Sequence, residues 1–219
     1  MKKRNQKNIF VALWLLVSFV IWTVAISFLD IQAIGPNGSS VGFATLNELV
    51  HKLTGVHMTL YIITDWLGLV PLFFVFGFAI LGLVQLIQRK SFFKVDRSIL
   101  VLGGFYIIVM ALYLLFEVFV INYRPVLIDG HLEASYPSST TMLVLCVIPT
   151  AMMQLNSRIL NQTFRKVILG FLVIFTAFMV IGRLISGVHW FTDIVGGILL
   201  STGLVVLYHF VSTLSATKN

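Results

Sequence analysis

The stretch Arg183-Leu-Ile-Ser-Gly-Val-His189-Trp-Phe-Thr-Asp193 runs directly into Ile194-Val-Gly-Gly-Ile-Leu-Leu-Ser-Thr-Gly-Leu-Val-Val-Leu-Tyr-His-Phe-Val-Ser-Thr-Leu214, which holds no acid, lysine or arginine. At about 1.5 Å per helical residue, the second part matches a hydrocarbon core of about 30 Å, so it reads as a transmembrane helix. The first part then lies at the membrane edge or within it. An arginine, a histidine and an aspartate there each cost several kcal/mol to take from water unless paired, so this cluster is the first place to look for chemistry.

Outward from that segment the pattern repeats. Apolar runs of spanning length occur at about Ile9–Leu29, Leu60–Ile87, Ile99–Val120, Thr141–Leu155 and Val167–Ile185, giving six with Ile194–Leu214. The run at Thr141–Leu155 is short for a bilayer, which predicts recessed ends or an extension through Asn156–Ile159. The whole chain of 219 residues is 58% hydrophobic and 11% charged, with a mean hydropathy of +1.00. Such values lie far from the globular norm. The expected fold is all-α and integral to the membrane: one domain over 1–219, six transmembrane helices in one bundle, and a short amphipathic helix on the outer surface.

The net charge of +7 does not point to nucleic acid, because the basic residues fall in short clusters between apolar runs. Lys2, Lys3, Arg4, Lys7, Arg89, Lys90, Lys94, Arg97, Arg158, Arg165, Lys166 and Lys218 share one set of connections. Lys52, Arg124 and Arg183 are left for the other. By the positive-inside rule both termini are expected in the cytoplasm of a cell-membrane protein. The apolar run after the N-terminal basic cluster is too long for a cleaved signal and reads as the first helix. Cys146 is the single cysteine, so no internal disulfide forms.

The outer connection from Asp30 to Thr59 carries the turn signal Gly35-Pro36-Asn37-Gly38, then Thr45-Leu-Asn-Glu48, a capping-box pattern. Leu46, Leu49, Val50 and Leu53 follow at helical spacing, with Gly55 as the stop. A lid or lipid-entry element is one reading of this helix, and a loop hiding its apolar residues is the plainer one. Pro71 and Pro149 are expected to kink their helices, and Trp66 and Trp190 to sit in an aromatic belt. Gly196, Gly197, Ser201 and Gly203 are expected to let the last helix pack closely on a neighbour.

His189 and Asp193 are four apart, which predicts a shared helix face with the carboxylate accepting from one imidazole nitrogen and the other free to attack. Ser186-Gly187 provides a reversal that returns the Arg183 guanidinium toward His189. An Arg183–Asp193 ion pair with a satisfied core histidine is the competing reading. Two further elements share the outer rim. Pro137-Ser138-Ser139-Thr140 puts hydroxyls and backbone N–H groups at a helix start, which suits an anion but also an ordinary N-cap. Arg124-Pro125 adds a guanidinium suited to phosphate oxygens. Together they form what phosphoryl transfer through a phosphohistidine needs.

On these residues the chain resembles the type 2 phosphatidic acid phosphatase (lipid phosphate phosphatase and haloperoxidase-related) superfamily. That family's pattern is Lys, six residues, Arg-Pro; then Pro-Ser-Gly-His; then Ser-Arg, five residues, His, three residues, Asp. The resemblance implies His189 as nucleophile, Asp193 as its orienting partner, and Arg124, Arg183 and Ser138, with Ser139 and Thr140 beside it, as the phosphate site. It implies no metal and no cofactor, and a membrane lipid as substrate: phosphatidylglycerol phosphate, phosphatidic acid or an isoprenyl diphosphate.

Four positions depart from the pattern: Glu117 for Lys, Ser139 for Gly, Thr140 for the second His, and Gly182 for Ser. In the family the second His is the general acid, and Thr140 cannot act as one at neutral pH. A diphosphate would tolerate that loss, since its leaving group needs little protonation. Glu117 argues against so charged a substrate, and seven residues before Arg124 it is placed to pair with that guanidinium or with Arg183; otherwise it serves as an acid/base or as the ligand of a cationic head group. His131 is a candidate replacement acid, with a solvated loop histidine as the plainer reading. Head-group transfer between lipids and a non-catalytic lipid-binding relative are the alternatives to hydrolysis. A conduction path has little support, because the ionisable groups gather at one rim.

Overall fold

The computed structural model describes residues 2–216, with side chains for residues 6–214; Lys2, Lys3 and Arg4 lie outside the described side chains, and Lys218 outside the described residues. The described residues form helices α1 (Lys2–Phe28), α2 (Ala44–Thr54), α3 (Met58–Leu67), α4 (Leu69–Arg89), α5 (Arg97–Val118), α6 (Ser139–Arg158), α7 (Gln162–Ile185) and α8 (Phe191–Ala216). Among these residues six helical stretches are long and apolar enough to cross a membrane, with α3 and α4 counting as one from Met58 to Arg89. The chain is a multi-pass membrane protein. The only β pairing among described residues is three isolated bridges, Gln32–Val41, Tyr123–Ala134 and Ile128–His131.

Helix α6 runs to Arg158, so the short fourth run does extend at its C-terminal end. It is also the most enclosed span, with 56% of its apolar window buried, followed by α8 at 44%. These two helices are the axis on which α1, α5 and α7 pack. The glycines of α8 explain the close approach: a Cβ on Gly196 would strike the Tyr136 ring, one on Gly197 would press on Thr141, and one on Gly203 would meet Leu16 of α1. Ser201 adds a bond from Oγ to the Met142 carbonyl at 3.2 Å.

The second span breaks at Gly68, just ahead of Pro71. Proline has no N–H for the carbonyl four residues earlier, so the helical hydrogen bonding is interrupted there, although Gly68 keeps right-handed helical angles. At the end of the bundle carrying Arg89 and Arg158, Asp96 accepts from Arg89 Nη1 at 2.9 Å and from Gln85 Nε2 at 2.8 Å, tying α4 to α5. The opposite end holds α2, the loop 119–138 and the turn between α7 and α8.

Helix α2 exists where expected and stops at Gly55, whose φ of 67° is left-handed. Its start is different. The Thr45–Glu48 capping box does not form; Phe43 is the N-cap without a side-chain bond, and Asp30 accepts the Thr45 N–H at 2.7 Å instead. A full carboxylate from outside the helix serves the N-terminal donors better than a threonine hydroxyl. The helix docks through Asn47, whose side chain bonds Thr192 in both directions, Nδ2 to Oγ1 at 3.0 Å and the Thr192 N–H to Oδ1 at 3.1 Å. Leu49 and Leu53 face away, 56% and 79% exposed.

Candidate functional site

Helix α7 ends on Ile185, and Gly187, at φ 68°, turns the chain back. Only glycine fits there, since a Cβ would collide with the Gly55 carbonyl. The turn returns His189 to Arg183, whose Nη2 lies 3.3 Å from His189 Nε2. His189 is not on α8, which begins at Phe191. Asp193 occupies the third position of that helix and reaches back to the Trp190 N–H, 2.9 Å from Oδ2, as the acidic half of a capping box does.

The expected direct bond between His189 and Asp193 is absent. Nδ1 and Oδ2 stand 3.9 Å apart, and Ser135 fills the gap. Its Oγ donates to Asp193 Oδ2 at 2.5 Å and lies 3.0 Å from His189 Nδ1. With the hydroxyl proton committed to the carboxylate, Ser135 accepts from Nδ1–H, which leaves Nε2 as a lone pair facing Arg183. Asn122 Nδ2 approaches the other carboxylate oxygen at 3.4 Å. The chain of contacts is thus Arg183, His189, Ser135, Asp193.

His189 is buried, and its basicity falls well below the ordinary value of 6.5. Burial is the main cause, followed by the charges of Arg124 and Arg183, with Ser135 opposing. A neutral imidazole results.

Both arginines are enclosed yet poorly partnered. Arg183 is 1% exposed, and its contacts are long: 3.4 Å to Thr64 Oγ1 and 3.5 Å to Asp65 Oδ1. Arg124, 8% exposed, has Nε 3.1 Å from Glu133 Oε2 but misaligned for a hydrogen bond. Among the described residues, Arg124 Nε and Nη1, Arg183 Nε and Ser138 Oγ find no hydrogen-bond partner. Both guanidiniums lie over the Tyr61 ring, at 5.7 and 4.9 Å from its centroid. They line a cavity of about 700 Å³ with Ser139, Thr140, Glu117 and Glu133.

Ser138 caps α6 by position, but its hydroxyl makes no cap bond, so the ordinary N-cap reading fails. It is fully buried and outside the cavity wall, whereas Ser139 and Thr140 are in it. The Arg183–Asp193 pair is likewise not formed; Arg183 faces Asp65. Glu117 lines the cavity but makes no ion pair with Arg124 or Arg183, because α5 ends at Val118 and the chain leaves the helical path. His131 sits exposed at the tip of the 128–131 turn and does not line the cavity. Trp66 is exposed, but Trp190 is buried and donates to the Tyr123 carbonyl at 2.8 Å, so it belongs to the site's scaffold rather than a belt.

Tyr61, Asn122, Glu133 and Ser135 were not legible as site residues.

Residues 117–215 match the model of the PAP2 superfamily, a stretch that holds Arg124, Ser138, Arg183, His189 and Asp193. The fold superposes on the crystal structure of the first transmembrane PAP2 type phosphatidylglycerolphosphate phosphatase from Bacillus subtilis. The TM-score is 0.58, at 20% sequence identity over 94% of this chain and 97% of that one. No curated protein matches. Over residues 117–215 the chain is thus similar to the PAP2 superfamily, and its fold is that of a transmembrane PAP2 phosphatase.

Proposed function

We propose that the protein is a membrane lipid phosphatase that works through a phosphohistidine at His189. The observation that carries this reading is the neutral, tautomer-fixed imidazole whose bare Nε2 adjoins a buried guanidinium with donors to spare. A phosphate entering the cavity replaces the long contacts of Arg124 and Arg183 with charge-assisted bonds, and the same cations stabilise the charge on the transferring oxygens. Nε2 attacks phosphorus: the N–P bond forms, the P–O bond to the lipid breaks, and its electron pair leaves with the lipid oxygen. The ring gains positive charge, which Ser135 and Asp193 stabilise. Water then attacks phosphorus, breaks the N–P bond and restores neutral His189 as inorganic phosphate leaves.

No imidazole faces the leaving oxygen from position 140, so that oxygen takes its proton from water in the cavity. A diphosphate would suit this best on leaving-group grounds. The carboxylates of Asp65, Glu117 and Glu133 around the same cavity weigh against so much negative charge and favour a monoester. The end of the bundle with the site is opposite the basic connections, which supports an outward-facing site with both termini in the cytoplasm.

The test is phosphate release by detergent-purified protein from phosphatidic acid, phosphatidylglycerol phosphate and isoprenyl diphosphate. His189→Ala should lose about 10³-fold or more, and acid-labile phosphate should be trapped on the wild type. No release above the variant from any of the three would sink the reading.

A further inference from the structure

The cavity has two tiers of opposite sign. At its floor are Arg183 and Arg124, 1% and 8% exposed. At its mouth stand Asp65 and Glu133, whose side chains are 57% and 41% exposed, and Glu117, also exposed. Three carboxylates therefore face two guanidiniums. A phosphate on the floor competes with Asp65 and Glu133 for the arginines, and it would leave all three carboxylates without a cation.

Glu117 is the telling residue. Among the described residues it has no ion-pair partner, and it stands four residues after Tyr113 on α5, so the two share one face. Both line the cavity. A carboxylate beside an aromatic ring, both open to a cavity, is the chemistry that holds an alkylammonium.

We propose that the substrate carries an ammonium a few bonds from its phosphate, with the phosphate on Arg124 and Arg183 and the ammonium held by Glu117 and Tyr113. This rests on the reading of His189 as the nucleophile and Arg124 and Arg183 as the phosphate site. The unpartnered donors on the buried arginines mark where the anion goes, and the exposed acids mark where the cation goes. Such a group brings its own counter-charge to the carboxylates that the phosphate displaces. Two lipid chemistries present it: the phosphate monoester of a long-chain amino alcohol, and an ethanolamine phosphodiester, from which attack by His189 expels the diacylglycerol and leaves a phosphoethanolamine group on the ring, freed by water as phosphoethanolamine.

Binding is read with full-length His189→Ala protein in detergent, so that turnover plays no part. The probes are O-phosphoethanolamine and n-propyl phosphate, which differ by an ammonium in place of a methyl. Phosphoethanolamine should bind at least ten-fold more tightly, and Glu117→Gln, a change at an exposed position, should remove most of that preference. Equal binding, or tighter binding of propyl phosphate, overturns the cation site while leaving the phosphatase reading intact. Binding of neither probe overturns both. With wild-type protein, faster phosphate release from a long-chain 2-aminoalkyl phosphate than from phosphatidic acid supports the monoester source. Loss of head group from phosphatidylethanolamine supports the diester source. A preference for phosphatidic acid over both refutes the proposal.

Discussion

Replacing Ser135 by alanine isolates the link between His189 and Asp193. Neither Ser135 nor His189 is part of the cavity wall; Ser135 is 2% exposed and sits on the Nδ1 side of the ring, away from the Nε2 that adjoins Arg183, so the change should not touch substrate directly. It removes the 3.0 Å contact to Nδ1 and the 2.5 Å bond to Oδ2, leaving ring and carboxylate 3.9 Å apart. That gap is too long for a hydrogen bond. Asp193 cannot simply close it, because Oδ2 also holds the Trp190 N–H at 2.9 Å and its backbone begins α8.

The bond from Nδ1 is between neutral groups before attack and becomes charge-assisted as the ring gains charge. Hydrogen bonds to charged groups contribute about 1.5–3 kcal/mol. At 1.36 kcal/mol per decade, the loss amounts to a fall in rate of about 10- to 150-fold. It should appear in kcat with KM nearly unchanged, since the interaction strengthens only on the way to the transition state. Single-turnover phosphate release in detergent measures it, with the melting temperature as a check that the variant is folded. A Ser135→Ala rate within about three-fold of wild type would refute the relay, as would a loss confined to KM.

Other outcomes follow from the same geometry. His189 is pushed below its ordinary value, so it stays neutral as the pH falls through 6.5 and protonates only when the pH passes its depressed value. ¹⁵N-histidine spectra, assigned by difference with His189→Ala, should show the Nδ1–H tautomer at pH 7 and no protonation at pH 6. A midpoint at or above 6.5 refutes that assignment. Gly187→Ala should lower the melting temperature and activity together, since φ 68° alone costs about 1–3 kcal/mol and the Cβ meets the Gly55 carbonyl; an unchanged melting curve would count against the turn argument. Asn47→Ala leaves the Thr192 N–H without its partner inside the protein, at about 1–3 kcal/mol. It should loosen the start of α8, read as faster amide exchange at Thr192 and Asp193, and unchanged exchange there would remove α2 from the site's support.

The spans and the Arg183–His189 turn were legible because both depend on local sequence. A run without charge has one stable form in a bilayer, and a glycine between a helix end and a helix start has few conformations open to it. Ser135 was not legible, because a serine in a polar loop is unremarkable until the loop closes. Closure comes from the Tyr123–Ala134 bridge and the bond from Ser135 N–H to the Asn122 carbonyl, contacts that no periodicity announces. The same bridge explains the error over Glu117. A seven-residue separation means two turns only if the helix continues; here it stops, and Arg124 finds its carboxylate across the bridge in Glu133.

The burial of Arg124 and Arg183 bears on whether the cluster is merely structural. A buried ion pair stabilises a fold only when its geometry is good and its remaining donors are met, because desolvation otherwise exceeds the Coulombic gain. Here the fully buried carboxylate, Asp193, is kept for Ser135, Trp190 and Asn122, while the arginines face acids that are half exposed and poorly aligned. Each orphaned donor costs about 1–3 kcal/mol. A structural network would place its best acid against its most buried cation. This arrangement instead leaves the cations short of partners, as the proposed phosphate site requires, and commits its buried carboxylate to the Ser135 link to the histidine.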